Sequence, residues 1–223
     1  MTELAAAEPT TVLSWSGGKD AAFALRELDD VAELLTTVSE NGRSSMHGVR
    51  RELYEAQAES VGLPIRFVEL PEDCPNEGYE SRMAAAMAEY ESREIERVAF
   101  ADLFLEDVRA YREERLAGTE IDGCWPLWGR DTDEQIRAFL DAGFRATVVA
   151  VDGSKLGASF AGRELDEAFL ADLPTGVDPC GENGEFHTFV WDGPGFDSPV
   201  SFELGEAVTR EVGDGEFHYR DLR

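Results

Sequence analysis

Lysine is almost missing from this 223-residue chain: Lys19 and Lys155 are its only two, and the rest of its 20 basic residues are arginines. Positive charge is scarce overall, because 47 acidic residues leave a formal net charge of −27. The acids are dispersed along the whole chain and not gathered in a tail, so they form an acidic coat. Such a surface lacks the basic footprint that nonspecific binding to nucleic acid or anionic membrane demands, and nucleic acid is not expected as a partner. Dispersed carboxylate with lysine nearly absent is the pattern of a surface adapted to very high salt. At ~1 M salt the Debye length is about 3 Å, which screens the mutual repulsion. The fold is expected to need salt.

Long apolar runs are also missing. No stretch approaches the roughly 18 consecutive apolar residues of a membrane span, and Met1-Thr2-Glu3-Leu4 does not open like a signal peptide. A cytoplasmic protein with no membrane partner is expected. The three cysteines, Cys74, Cys124 and Cys180, are far apart and form no Cys-x-x-Cys pair. That spacing argues against a disulfide framework and against a zinc site, leaving Cys180 and His187 as the one pairing of metal-ligand type. What is present is a hydrophobic fraction of 43%, enough to build a core.

Residues 10–15 read as a buried strand and 21–28 as a helix, with a glycine loop between them. Further strands are predicted at 34–39, 65–70 and 98–101. Helices are predicted at 45–61, closed by Gly62, around 79–90, and over 103–116. Tyr79, Met83, Met87 and Tyr90 form one stripe and read as core. This alternation implies a parallel sheet covered on both faces and wound with right-handed crossovers. After Gly118 the character changes. Trp125-Pro126-Leu127-Trp128-Gly129 is a breaker-rich junction, Thr132-Asp133-Glu134-Gln135 opens a helix as a capping box, and 146–151, 186–190 and 200–202 read as strands. The expected organisation is an α/β parallel-sheet domain over 10–120 and a smaller α+β domain over 121–223, with 1–9 a frayed leader.

The chemistry is concentrated at Ser16-Gly17-Gly18-Lys19-Asp20, between the first strand and the first helix. A glycine pair there lets the backbone wrap an anion, which meets free N–H groups and the positive end of the helix dipole. Phosphate is the natural ligand. Lys19 adds a point charge, Ser14 and Ser16 add hydroxyl donors, and Asp20 caps the helix or holds magnesium through water. A plain glycine-rich turn is the bland alternative. Neither the Walker spacing nor the dinucleotide Gly-x-Gly-x-x-Gly spacing is present. Asp102 ends the fourth strand, where ligand crevices form in open α/β sheets, and either contacts ribose or magnesium or caps a helix. Arg109 and Arg112 offer guanidinium to phosphate or carboxylate, or make helix ion pairs. Trp125 and Trp128 read as interdomain core more than as a base-stacking platform. Lys155 either closes over a nucleotide or is solvated.

The loop resembles the Ser-Gly-Gly-x-Asp-Ser signature of the PP-loop ATP pyrophosphatases, with Ala21 in place of the last serine. Pro126-Leu127-Trp128, Ala142-Gly143-Phe144 and Cys180-Gly181-Glu182-Asn183-Gly184-Glu185-Phe186-His187-Thr188-Phe189 resemble the diphthine–ammonia ligase family. The likeness runs over 12–197, with Asn183 a departure inside the second motif. It implies a PP-loop, HUP-like domain of the adenine nucleotide alpha hydrolase type, followed by a smaller α+β domain, with ATP and Mg2+ as cofactors. It implies that ATP adenylates a carboxylate, pyrophosphate is left in the loop, and ammonia displaces AMP to form an amide. In that family the acceptor is diphthine, a modified histidine of translation elongation factor 2. The resemblance implies catalytic roles for Lys19, Asp20, Glu182, Glu185 and His187. Nucleotide contacts fall to Ser14, Ser16, Gly17, Gly18, Lys19, Asp20, His47 and Asp102. Glu182 and Glu185 would bind ammonium or take a proton from ammonia, unless they are surface acids, and His187 would touch substrate or phosphate, unless it is structural. Two rivals remain: another PP-loop chemistry with a different acceptor, and a nonenzymatic adenine-nucleotide-binding protein. Among the former, tRNA sulfuration is disfavoured by the missing cysteine pair.

Overall fold

The computed structural model of the protein describes residues 10–44, 46–72, 74–212 and 215–223. The leader expected at 1–9 and the helix start expected at Ser45 lie outside the described residues. Five strands form a parallel sheet: β1 Thr11–Ser14, β2 Val31–Ser39, β3 Ile65–Leu70, β4 Arg97–Ala99 and β5 Asp122–Cys124, in the order β3-β2-β1-β4-β5. Helices α1 Lys19–Arg26, α2 Arg51–Val61, α3 Asn76–Ser92 and α4 Glu106–Leu116 connect them. The central strands β1 and β2 carry apolar residues in succession because both faces of the sheet are covered there. Leu13 and Leu34 join Phe23 and Tyr54 in one buried cluster, while their neighbours Val12 and Leu35 join Met87 and Tyr90 in the other. The expected stripe on α3 is therefore core, with Tyr79 and Met83 packed at its edge.

Element boundaries differ from the sequence reading by a few residues in several places. The helix expected from residue 45 begins at Arg51; ahead of it Arg43 and Arg50 form an antiparallel bridge and Gly48 adopts φ 66°. The helix expected from 103 begins at Glu106. The very short β5, unseen in sequence because Asp-Gly-Cys has no strand signal, pairs in register with β4 just beyond residue 120.

The second sheet is antiparallel, in the order β7-β6-β9-β8, and comprises β6 Arg145–Asp152, β7 Phe186–Asp192, β8 Leu204–Val212 and β9 Gly215–Leu222. Helices α5 Thr132–Asp141 and α6 Glu167–Ala171 accompany it. The N-cap of α5 is Asp131 and not Thr132: an Asp131 oxygen accepts from the Glu134 N–H at 3.1 Å, moving the expected cap one residue upstream. The strand expected at 200–202 is irregular chain, pinned by the Val200 N–H to the Trp191 carbonyl. The two sheets share one apolar cluster, in which Phe144 stacks on Phe139 at 5.0 Å and leans on Phe23 of α1. Among the described residues no helix is long and apolar enough to cross a membrane.

Candidate active site

The glycine loop is clamped from two sides. Gly17 adopts φ 69°, and a Cβ there would lie 2.6 Å from Gln57 Oε1 and 2.7 Å from Tyr54, so only glycine lets α2 approach this closely. Buried Gln57 donates to the carbonyls of Gly17 (2.9 Å) and Val190 (2.6 Å) and accepts from the Trp15 indole (2.9 Å). From the other side β7 reaches the loop. The Val190 N–H donates to the Gly17 carbonyl, and Thr188 Oγ1 accepts from the Lys19 N–H at 3.0 Å. The loop is thus tied to α2 and to the second sheet at once. Gln57→Leu, which leaves those buried groups unpaired, is expected to cost about 3 kcal/mol, read as a lowered denaturant midpoint.

Above the loop lies a cleft of about 190 Å3 lined by Ser14, Ser16, Gly18, Lys19, Asp20, His47, Asp102, Glu182 and His187, among others. It opens at the carboxyl ends of β1 and β4, where the chain leaves the sheet in opposite directions, the usual ligand crevice of an open α/β sheet. The amides of Asp20 and Ala21 belong to the first turn of α1, where N–H groups have no intrahelical acceptor. Lys19 Nζ meets Asp20 Oδ2 at 2.5 Å. Burial opposes the lysine's charge, but Asp20, Cys180 and Glu182 outweigh it and hold its pKa above the ordinary value. Burial likewise pushes the Asp20 carboxyl up, more than Lys19 pulls it down.

Glu182 lies across the cleft and accepts from the Leu103 N–H at 2.6 Å. Burial, reinforced by the Asp20 charge, pushes its pKa up to about 7 against the pull of that N–H and of Lys19. Beside it, the rings of His47 and His187 stand 4.6 Å apart. Burial lowers both: His187 to about 4, and His47 well below its ordinary value with His187 and Lys19 adding to the effect. Both imidazoles are neutral at pH 7. His187 Nε2 is buried without a hydrogen-bond partner among the described residues.

The predicted residues divide. Ser14, Ser16, Gly18, Lys19, Asp20, His47, Asp102, Glu182 and His187 come together in the cleft, and Arg112 joins them by donating to Asp102 at 3.1 Å. Gly17 turns its carbonyl toward Gln57 and shapes the loop from behind. Glu185 does not line the cleft, where the resemblance set it beside Glu182 and His187. It is buried, and its carboxylate accepts from the N–H groups of Asp178 and Asn183 and from the Asn183 amide, which uses it up in holding the 178–185 turn. Asp178 braces the same turn, accepting from the Cys180 and Glu182 N–H groups. Arg109 pairs with Glu113 and lies over Trp125 and Trp128, outside the cleft lining. Lys155 is exposed and outside the cleft. The Cys180 thiol is pushed up to about 12 by burial and donates to the Thr132 carbonyl. Sequence reasoning missed Gln57 and Thr188. The first carried a signal, a polar residue on the buried stripe of α2, and the second sat unread inside the family-like motif.

A glycine loop opening a helix at the switch point of a parallel sheet, faced by Glu182 and His187 from beside and on β7 and by His47 from the loop after β2, defines the phosphate-loop class of α/β nucleotide-binding proteins. Residues 9–117 match the family described as Diphthamide synthase N-terminal domain, and residues 131–215 match the Diphthamide synthase C-terminal domain. A diphthine–ammonia ligase of Danio rerio is 26% identical over 223 aligned residues, covering 86% of each chain. Those of Bos taurus and Homo sapiens are 26% and 25% identical over 127 residues, covering 55% of this chain and 48% of theirs. The chain belongs to the diphthamide synthase, or diphthine–ammonia ligase, family.

Proposed function

We propose that this protein is an ATP-dependent ligase that adenylates a carboxylate and amidates it with ammonia, releasing AMP and pyrophosphate. The observation that carries this reading is a single cleft in which the phosphate loop faces a buried carboxyl with a pKa of about 7. In the reaction, the carboxylate oxygen attacks the α-phosphorus of ATP and pyrophosphate leaves. Lys19, the first-turn amides of α1 and the Ser14 and Ser16 hydroxyls hold the departing phosphates, since donors aimed at developing charge are most effective in a site sheltered from water. Ammonia then attacks the acyl carbon and AMP departs. The new C–N bond leaves a surplus proton on nitrogen, and Glu182, poised near neutral pH, is placed to take it as general base. The neutral His187 ring nitrogen offers a further acceptor or donor to the acyl group. Glu185 and Asp178 act as positioning residues that hold Glu182 in the turn.

Asp20 and Asp102 are the carboxylates that would hold Mg2+. Both line the cleft beside the phosphate loop, and a pair of carboxylates fits an ion that would be bound otherwise by phosphate and water. When bound, the ion would neutralise charge on the transferred phosphates. We assign ATP binding to 10–120 and acceptor binding to 121–223, with the diphthine of elongation factor 2 as the acceptor and the cytoplasm as the setting, which three free thiols suit.

The test is to incubate the protein at high salt with ATP, Mg2+, ammonium and diphthine-bearing elongation factor 2, then resolve the nucleotides. AMP and pyrophosphate are expected only when the factor is present. AMP formed without it would point to another acceptor, and ATP bound with no turnover under any condition would overturn the ligase reading.

A further inference from the structure

On the far side of His47, the local charge runs against that of the whole molecule. Arg43, Arg50, Arg210, Arg220 and Arg223 line a second cavity of about 200 Å3, whose acids are Glu206 and Asp221 alone. Five guanidinium groups against two carboxylates make this a positive pocket in a chain of net charge −27. Asp221 sits at its base and accepts from Arg43 Nη1 at 2.8 Å, Arg50 Nη2 at 2.9 Å and Arg223 Nε at 3.1 Å. One carboxylate shared by three guanidinium groups aligns them and leaves a surplus of positive charge. Arg210 lies over the Tyr219 ring, and Arg220 Nε is buried with no partner. Among the described residues neither arginine is in an ion pair.

The pocket is built, because β9 holds Arg43, Gly48 and Arg50 against it. Gly48, at φ 66°, lies so close beneath Tyr219 that a Cβ would come within 3.1 Å of the ring. His47, beside Gly48 in the chain, lines both this pocket and the phosphate cleft. An anion seated among the arginines is therefore one side chain away from the phosphates. Arginine presents forked donors that match a carboxylate or phosphate bidentately. The phosphates of ATP already have their own donors in the loop, so the group that still needs a seat comes from the other substrate.

We propose that this pocket binds carboxylate side chains of an acidic segment of the protein acceptor, so that the carboxylate to be activated enters past His47. The word acceptor rests on the ligase reading; the site itself does not. Local attraction of this kind offsets the repulsion that an acidic segment otherwise meets from a chain of net charge −27.

The test uses the full chain without nucleotide at ~1 M KCl, where long-range repulsion is screened but direct contacts persist. A fluorescein-labelled hexaglutamate peptide is titrated and its anisotropy followed, with inorganic phosphate titrated separately as the competing probe. The peptide is expected to bind, and the Arg210→Ala/Arg220→Ala double variant to weaken it at least tenfold while ATP binding is unchanged. If the double variant fails to fold, Arg210→Glu alone, at an exposed position, carries the same expectation. No peptide binding, binding indifferent to these substitutions, or binding of phosphate without peptide would overturn the proposal. Because nothing in this assay turns over, its failure is distinct from failure of the ligase reading.

Discussion

Replacing Lys19 with alanine is expected to lower AMP-forming turnover about 10²- to 10³-fold, the loss typical of removing one donor from a preorganised charge-stabilising site. Lys19 is the one lysine in the cleft and is almost fully buried, above the Phe186 ring and against Asp20. A charge held in such a place keeps most of its strength, whereas the same charge on the surface is damped by water. Its loss also exposes Asp20 to uncompensated repulsion from Asp178 and Asp102, whose charges already push the Asp20 carboxyl up. ATP affinity is therefore expected to fall along with turnover, since phosphates would enter a cleft in which Arg112 is the one cation left against Asp20, Asp102 and Glu182. Breaking a buried pair costs about 3–5 kcal/mol; Asp20 keeps 23% of its side-chain surface, so about 2 kcal/mol is expected here. Single-turnover release of labelled pyrophosphate, with circular dichroism on the same sample, separates lost chemistry from lost fold. Turnover at the wild-type rate in a folded Lys19→Ala protein would sink the loop assignment.

The first sheet was legible in the sequence because its central strands β1 and β2 carry short buried apolar runs, and the edge strand β3 still sets Ile65, Phe67, Val68 and Leu70 in a short stretch after Gly62. The loop was legible because three unlike signals met at one point: position after a strand, paired glycine and a rare lysine. The C-terminal hairpin was not. β8 reads Leu-Gly-Glu-Ala-Val-Thr-Arg-Glu-Val, its first eight residues no more than half-buried, so alternation is blurred by the acidic coat. That hairpin carries Tyr219, Asp221 and most of the arginine pocket, so the pocket was hidden with it. Glu185 shows the opposite limit. A motif records that a carboxylate is needed at a position but not whether it faces substrate or its own turn, and here hydrogen bonds from Asp178 and Asn183 decide for the turn.

Glu182→Gln is expected to act with opposite signs on stability and activity. The Glu182 carboxyl is raised from 4.5 to about 7 in the folded protein, chiefly by burial and next by Asp20. A group raised on folding binds its proton more tightly in the native state. Its favourable contribution is full below pH 4.5 and is lost as pH rises through 7. That displacement corresponds to on the order of 3 kcal/mol, which solvent access to the cleft reduces to about 2. Glutamine carries no such charge, so the ligand-free variant is expected to be more stable than wild type by up to that amount at pH 8, and equal to it near pH 4. His187, held down to about 4, imposes the reverse dependence, with stability lost as pH falls from 6.5 through 4. It does so in both proteins and cancels in the difference between their unfolding midpoints. Turnover should meanwhile fall about 10²- to 10⁴-fold, because an amide cannot accept the proton that ammonia must lose. A folded variant that is less stable at pH 8 yet still forms the amide would show that Glu182 is held in the turn for packing, and the base would then have to be sought at His187.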